Sequence, residues 1–192
     1  MALASNAPAR AMDELPLLQR WFRYNAEIRG RYLRTFEQVP SKVLLRDEGA
    51  SYPLLQIYLH VLDAYRLWTD YVPNDRVRLF PASLLRRRVR SLARARQASR
   101  KVAQEVRGFV ENLSPADLDT EIVYEAPVGA NWTRWRTDRV RLRAVLWHLV
   151  EEELQHRGEM NALLWRHGAE PPIVSFHQWR DRAGDPASRE AR

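Results

Sequence analysis

Apolar residues recur along most of this chain at steps of three and four, the spacing that lines up one face of an α-helix. From about Asp13 to Val39 they are Leu17, Leu18, Trp21, Phe22, Ala26, Ile28, Leu33 and Phe36, which predicts a first long helix ended by Pro40. Ser51 reads as an N-cap, with Pro53 in the first turn of a second helix that runs through Leu55, Tyr58, Leu59, Leu62, Tyr65 and Trp68 to a stop at Pro73-Asn74. After Pro81, the residues Leu85, Val89, Leu92, Val102, Val106, Phe109 and Val110 mark one face of a third helix ending near Ser114-Pro115. There the pattern breaks. Alternation in TEIVYEAPVG, between Asp117 and Thr137, predicts a short strand or an extended crossover with a turn at Gly129. Thr137-Asp138 then reads as the cap of a fourth helix, Asp138 to His167, carrying Val140, Ala144, Val145, Trp147, Leu149, Leu154, Leu163, Leu164 and Trp165 and stopped by Gly168 and Pro171-Pro172. Four long helices with one longer crossover between the third and fourth predict an all-α four-helix bundle. Residues 1–180 read as its single domain and 181–192 as a polar tail.

Composition fits one folded body. A chain of 192 residues, 45% hydrophobic and with 7 Trp, has enough apolar surface for one sizeable core and too little length for two. The absence of Cys excludes disulfides, thiolate ligands and a cysteine nucleophile, so His and carboxylates are left as the strong metal ligands. No window approaches a membrane-spanning run and the first residues lack a signal-type apolar region, so a soluble, cytoplasmic protein with no membrane partner is expected. Of the 31 basic residues only Lys42 and Lys101 are lysines. Arginine in place of lysine most simply reflects a GC-rich genome; arginine on one surface would instead suggest an anionic partner.

The chemistry concentrates in HLVEEELQHRGEMN, His148 to Asn161, inside the predicted fourth helix. Glu152 and His156 are four residues apart, so they stand one turn apart on nearly one face and can aim at a common point. A third ligand must come from a facing helix, and His60 is the histidine placed mid-helix in an amphipathic segment. His60, Glu152 and His156 would form a two-His, one-carboxylate metal site with positions open to water or substrate. His148 is a rival on the same stripe, but its drift around the helix makes three ligands from one straight helix poor geometry. His167 and His177 read as surface residues. Glu153 and Arg157 read as a surface i,i+4 pair, and Gly158 as a point of close helix packing.

These residues resemble a known signature. HLVEEELQHRGEM followed by LLWRHGAEPP is similar to the last helix of the DinB-like superfamily, often H-x-x-x-H-H-[RK]-G-Q before a Gly-Pro-rich exit. The resemblance covers residues 13 to 170. It implies a metal-binding four-helix bundle whose third ligand is a His in the middle of the second helix, where His60 stands. Glu152 departs from the His of many members, and Glu159 from the usual Gln; the His/Glu/His set is similar to that of the mycothiol-dependent maleylpyruvate isomerases of the superfamily. By that resemblance the protein is expected to be a metal-dependent thiol S-transferase or isomerase. A divalent ion, Zn²⁺ or Ni²⁺, would activate an imported low-molecular-weight thiol such as mycothiol or bacillithiol toward an electrophile. A two-fold homodimer is also expected, since the family commonly pairs and the helices carry Trp and Tyr on several faces.

Three other readings compete. A metal-stabilised bundle without catalysis uses the same ligands. A nucleic-acid binder would use Arg86 to Arg100 with Trp132 and Trp135, but no reading motif accompanies them. A ferritin-like di-iron oxidase would need a second Glu-x-x-His pair, which YLHVLDAY does not provide.

Overall fold

The computed structural model describes residues 14–128 and 134–179. The turn expected at Gly129, Trp132 and the tail at 181–192 lie outside the described residues. The chain is mostly helical, with one small antiparallel sheet. Four long helices, α1 (Glu14–Phe36), α3 (Leu54–Arg66), α6 (Leu92–Glu111) and α7 (Leu142–Arg166), are joined by the short α2 (Ser41–Leu44), α4 (Phe80–Ser83) and α5 (Leu85–Arg88). α1 packs on α6 and α7, and α3 packs on α6 and α7 from its own side.

α1 turns Leu18, Phe22, Asn25, Arg29, Tyr32 and Phe36 inward at alternating steps of four and three. α3 is the most enclosed helix: Leu54, Leu55, Ile57, Tyr58, Leu59, Val61, Leu62 and Tyr65 are all buried, while Gln56, His60, Ala64 and Arg66 are half-buried. Of these, His60 faces Glu152 and His156 on α7. The cap of α3 is Pro53, with φ −53° and ψ 148° and no side-chain cap bond, so Ser51 does not cap it as expected. The hydroxyl of Ser51 goes instead to Glu159 on α7.

Two elements differ from the sequence expectation. The third helix does not run unbroken from Pro81: Leu84 (ψ 120°) and Val89 (ψ 123°) are extended and separate α4, α5 and α6. Tertiary hydrogen bonds decide this, because the buried carboxylate of Asp63 on α3 accepts the backbone N–H groups of Leu85 (2.9 Å) and Arg86 (3.2 Å) and fixes the start of α5. Ser91 then caps α6 by accepting from the Arg94 N–H.

The all-α expectation is amended in the crossover. It contains a hairpin, β1 (Glu121–Val128) paired with β2 (Arg134–Arg141), in the register Glu121↔Arg141 to Val128↔Arg134. The residues 138–141, expected as the first helical turn, lie in β2. Val140 fits the helical spacing but lies opposite Ile122, and both are half-buried. α7 therefore begins at Leu142, whose N–H is held by the Thr120 carbonyl. At its other end Gly168, at φ 71°, takes the left-handed conformation that stops the helix. Among the described residues no helix is long and apolar enough to cross a membrane.

Candidate metal centre

α3 and α7 face each other with His60 and Glu152 opposite, and His156 one turn further along α7. Glu152 Oε1 lies 2.9 Å from His60 Nε2 and 3.1 Å from His156 Nε2. The two imidazole rings are 4.9 Å apart and nearly perpendicular. One donor atom from each residue falls within 4.8 Å of the others, and among the described residues this is the only such His/carboxylate group. The structure therefore brings together all three residues expected from the sequence. His148 is exposed, and His177 is exposed in the segment after α7. His167, expected on the surface, is half-buried and its Nε2 sits 2.8 Å from both carboxylate oxygens of Glu48.

The electrostatics are those of a charge held between two partners. Hydrogen bonding to His156 and then to His60 keeps the Glu152 carboxyl well below the usual carboxylate range, against the opposing effect of burial. Its hydrogen bond to Glu152 raises His156 above the ordinary histidine value, again against burial. His156 is almost fully enclosed, whereas Glu152 and His60 keep side-chain exposures of 17% and 27%, so the set opens to solvent on the His60 side.

The donors fit a divalent cation. Nitrogen and oxygen ligands of a tetrahedral ion lie about 2.0–2.1 Å from it and hence roughly 3.3 Å from one another. The separations between Glu152 and the two rings come within a few tenths of an ångström of that value, and both rings turn Nε2 toward the same carboxylate. Two neutral imidazoles and one carboxylate neutralise half of a divalent charge and suit Zn²⁺ or Ni²⁺.

The surroundings contain residues that the sequence reading placed elsewhere. Glu153 and Arg157 do pair, but inside the core: they are 1% and 4% exposed. Arg157 donates to Glu153 Oε1 (2.6 Å) and to Asn25 Oδ1 (2.8 Å), while Arg29 from α1 and the hydroxyl of Tyr65 from α3 donate to Glu153 Oε2. This network joins α1, α3 and α7 one residue along from the candidate ligand Glu152. The stripe that α7 buries runs from Leu142 and Val145 through Leu146, Leu149, Val150, Glu153, His156, Arg157 and Met160 to Leu163 and Leu164. Leu154 and Trp165, expected on the apolar face, are instead 46% and 60% exposed. Gly158 is exposed too, and a Cβ there would meet nothing within 4 Å, so it is not a point of close helix packing.

Over the open side, Tyr52 lies with its ring 5.5 Å from that of His60 and carries the Arg86 guanidinium on its face at 4.7 Å. A separate groove of about 430 Å³ between α1 and α6, lined by Phe22, Ala26, Val106, Val110 and Trp179 among others, includes none of the three candidate ligands.

Fold and site together define a mostly helical protein with a His/Glu/His donor set between two long helices. The chain belongs to the DinB superfamily, whose family model matches residues 25–160 and so takes in all three candidate ligands. The crystal structure of a DinB-like protein from Bacillus subtilis, YjoA, is similar in fold, with a TM-score of 0.55 at 14% identity over 81% of this chain and 96% of that one. Comparison with curated proteins gives no match.

Proposed function

We propose that this protein is a metal-dependent thiol S-transferase or isomerase built on a four-helix bundle of α1, α3, α6 and α7. The observation that carries the reading is the convergence of His60, Glu152 and His156 on one point with an open side toward solvent. A divalent ion held there would supply Lewis acidity that lowers the pKa of a thiol brought to it. The chain has no cysteine, so the nucleophilic sulfur comes from a low-molecular-weight thiol such as mycothiol or bacillithiol. His60 and His156 would hold the ion as neutral donors, and Glu152 would neutralise half of its charge. The ring of the half-buried Tyr52 stands beside His60 at that open side.

The test is a thiol-transfer assay on metal-loaded protein, following loss of free thiol with a panel of electrophiles. Transfer that requires the metal and disappears in His60→Ala supports the reading. Full metal occupancy with no transfer for any thiol, mycothiol and bacillithiol included, would favour the second reading, a bundle that the metal stabilises without catalysis. We also read the protein as a cytoplasmic two-fold homodimer, in which the exposed Leu154 and Trp165 of α7 give a second copy apolar surface to cover.

A further inference from the structure

His156 meets the ligand set with one ring nitrogen only. Its Nε2 faces Glu152, while its Nδ1 is buried and has no hydrogen-bond partner. Glu159, three residues further along α7, places Oε1 3.5 Å from that Nδ1. Its other oxygen, Oε2, accepts a hydrogen bond from the hydroxyl of Ser51, in the loop that leads into α3. The carboxylate of Glu159 is thus tied from outside and aimed at the back of a ligand.

We propose that Glu159 is a positioning residue of the metal centre, accepting the Nδ1 proton of His156 so that Nε2 stays unprotonated and directed at the ion, with Ser51 holding Glu159 in place. The proposal rests on the reading of His60, Glu152 and His156 as metal ligands. Its chemistry follows from the imidazole: a neutral ring carries one proton, and an acceptor at Nδ1 leaves the lone pair on Nε2. Ligating histidines generally donate their second N–H to a carboxylate or carbonyl, which fixes the tautomer and the ring orientation. The 3.5 Å separation lies a few tenths of an ångström beyond an N–H···O hydrogen bond. A role as a further ligand is not what the geometry gives: Glu159 faces the opposite edge of the ring from Glu152 and lies outside the converging group.

The experiment measures Zn²⁺ affinity by competition with a chromophoric chelator for wild type, Glu159→Gln, Glu159→Leu and Ser51→Ala, and reads the His156 tautomer of each zinc-loaded protein by long-range ¹H–¹⁵N NMR. Melts of the metal-free variants establish that each is folded. Glu159→Leu is expected to bind zinc about 10- to 100-fold more weakly, the usual effect of losing such a partner, and to lose the protected Nδ1–H signal. The amide oxygen of Glu159→Gln still accepts that proton, so this variant is expected to keep most of the affinity and the Nδ1–H tautomer. Ser51→Ala is expected to fall between them. Wild-type affinity and an unchanged tautomer in Glu159→Leu would overturn the proposal, and so would equal losses in the Gln and Leu variants. Failure of the wild type itself to bind zinc is the distinguishable result that removes the metal centre, and this role with it.

Discussion

Glu152 and Glu153 are neighbours in sequence with opposite tasks, and substitution separates them. If Glu152 is a ligand, Glu152→His should still bind metal, because imidazole suits the same ions. Glu152→Gln should lose more affinity than the roughly 10- to 100-fold of an outer partner, because a neutral amide ligates Zn²⁺ or Ni²⁺ poorly; equal metal titrations for wild type and Glu152→Gln would remove it from the site. Glu153→Gln should instead leave Arg29 and Arg157 buried without their anion and cost about 3–5 kcal/mol in urea unfolding, whatever the metal content. The pH dependence has a definite sign. Glu152, depressed below its ordinary 4.5, contributes stability that is present above that value and lost as pH falls through the folded value; His156, raised above 6.5, contributes stability that is present below 6.5 and lost as pH rises through its folded value. An incoming ion competes with the His156 proton, so metal affinity should rise with pH and go on rising above 6.5, and a flat titration between pH 6 and 8 would contradict this. The convergence of His60, Glu152 and His156 was legible in the sequence because a four-residue step and a mid-helix His are visible there. The buried network was not, because Glu153 and Arg157 suit an exposed pair equally well. The available signal was in α1, where Arg29 keeps the spacing of Leu18, Phe22, Asn25, Tyr32 and Phe36.

Among the elements, α5 has its start held by a carboxylate distant in sequence. Asp63 holds the N–H groups of Leu85 and Arg86 and also accepts from Arg66, so Asp63→Ala leaves buried donors unpaired and is expected to cost about 1–3 kcal/mol. A change within about 0.5 kcal/mol by denaturant unfolding would mean that the break before α6 is set by local sequence alone. The same contrast governs what the chain reveals unaided. α1, α3 and most of α7 follow from their apolar spacing, and Pro40, Gly168 and Pro171 mark ends that the structure keeps. The α4–α5–α6 breaks and the start of α7 do not follow, since apolar residues continue at helical steps through both. A carboxylate on α3 decides the first, and pairing of Val140 with Ile122 the second.

At the scale of the whole molecule, the exposed Leu154 and Trp165 lie on the outer side of α7, away from the candidate ligands Glu152 and His156. If a second copy covers them, light scattering at micromolar concentration should give twice the 22.6 kDa of one chain, and Trp165→Glu should return it to one; a single-chain mass for the wild type would remove the dimer. The crossing of α3 and α7 that positions His60 against Glu152 and His156 is the product of the entire core, with the Arg29–Glu153–Arg157 network locking α1 to α7 beside it. What the architecture brings together at that crossing is a His/Glu/His group that could hold one divalent cation, the reading proposed here. The most direct measurement is the metal content of untagged protein, titrated with Zn²⁺ or Ni²⁺ after chelation. The account predicts one ion per chain in the wild type and none retained at comparable affinity in His60→Ala or His156→Ala. Stoichiometric metal that survives both substitutions would contradict it.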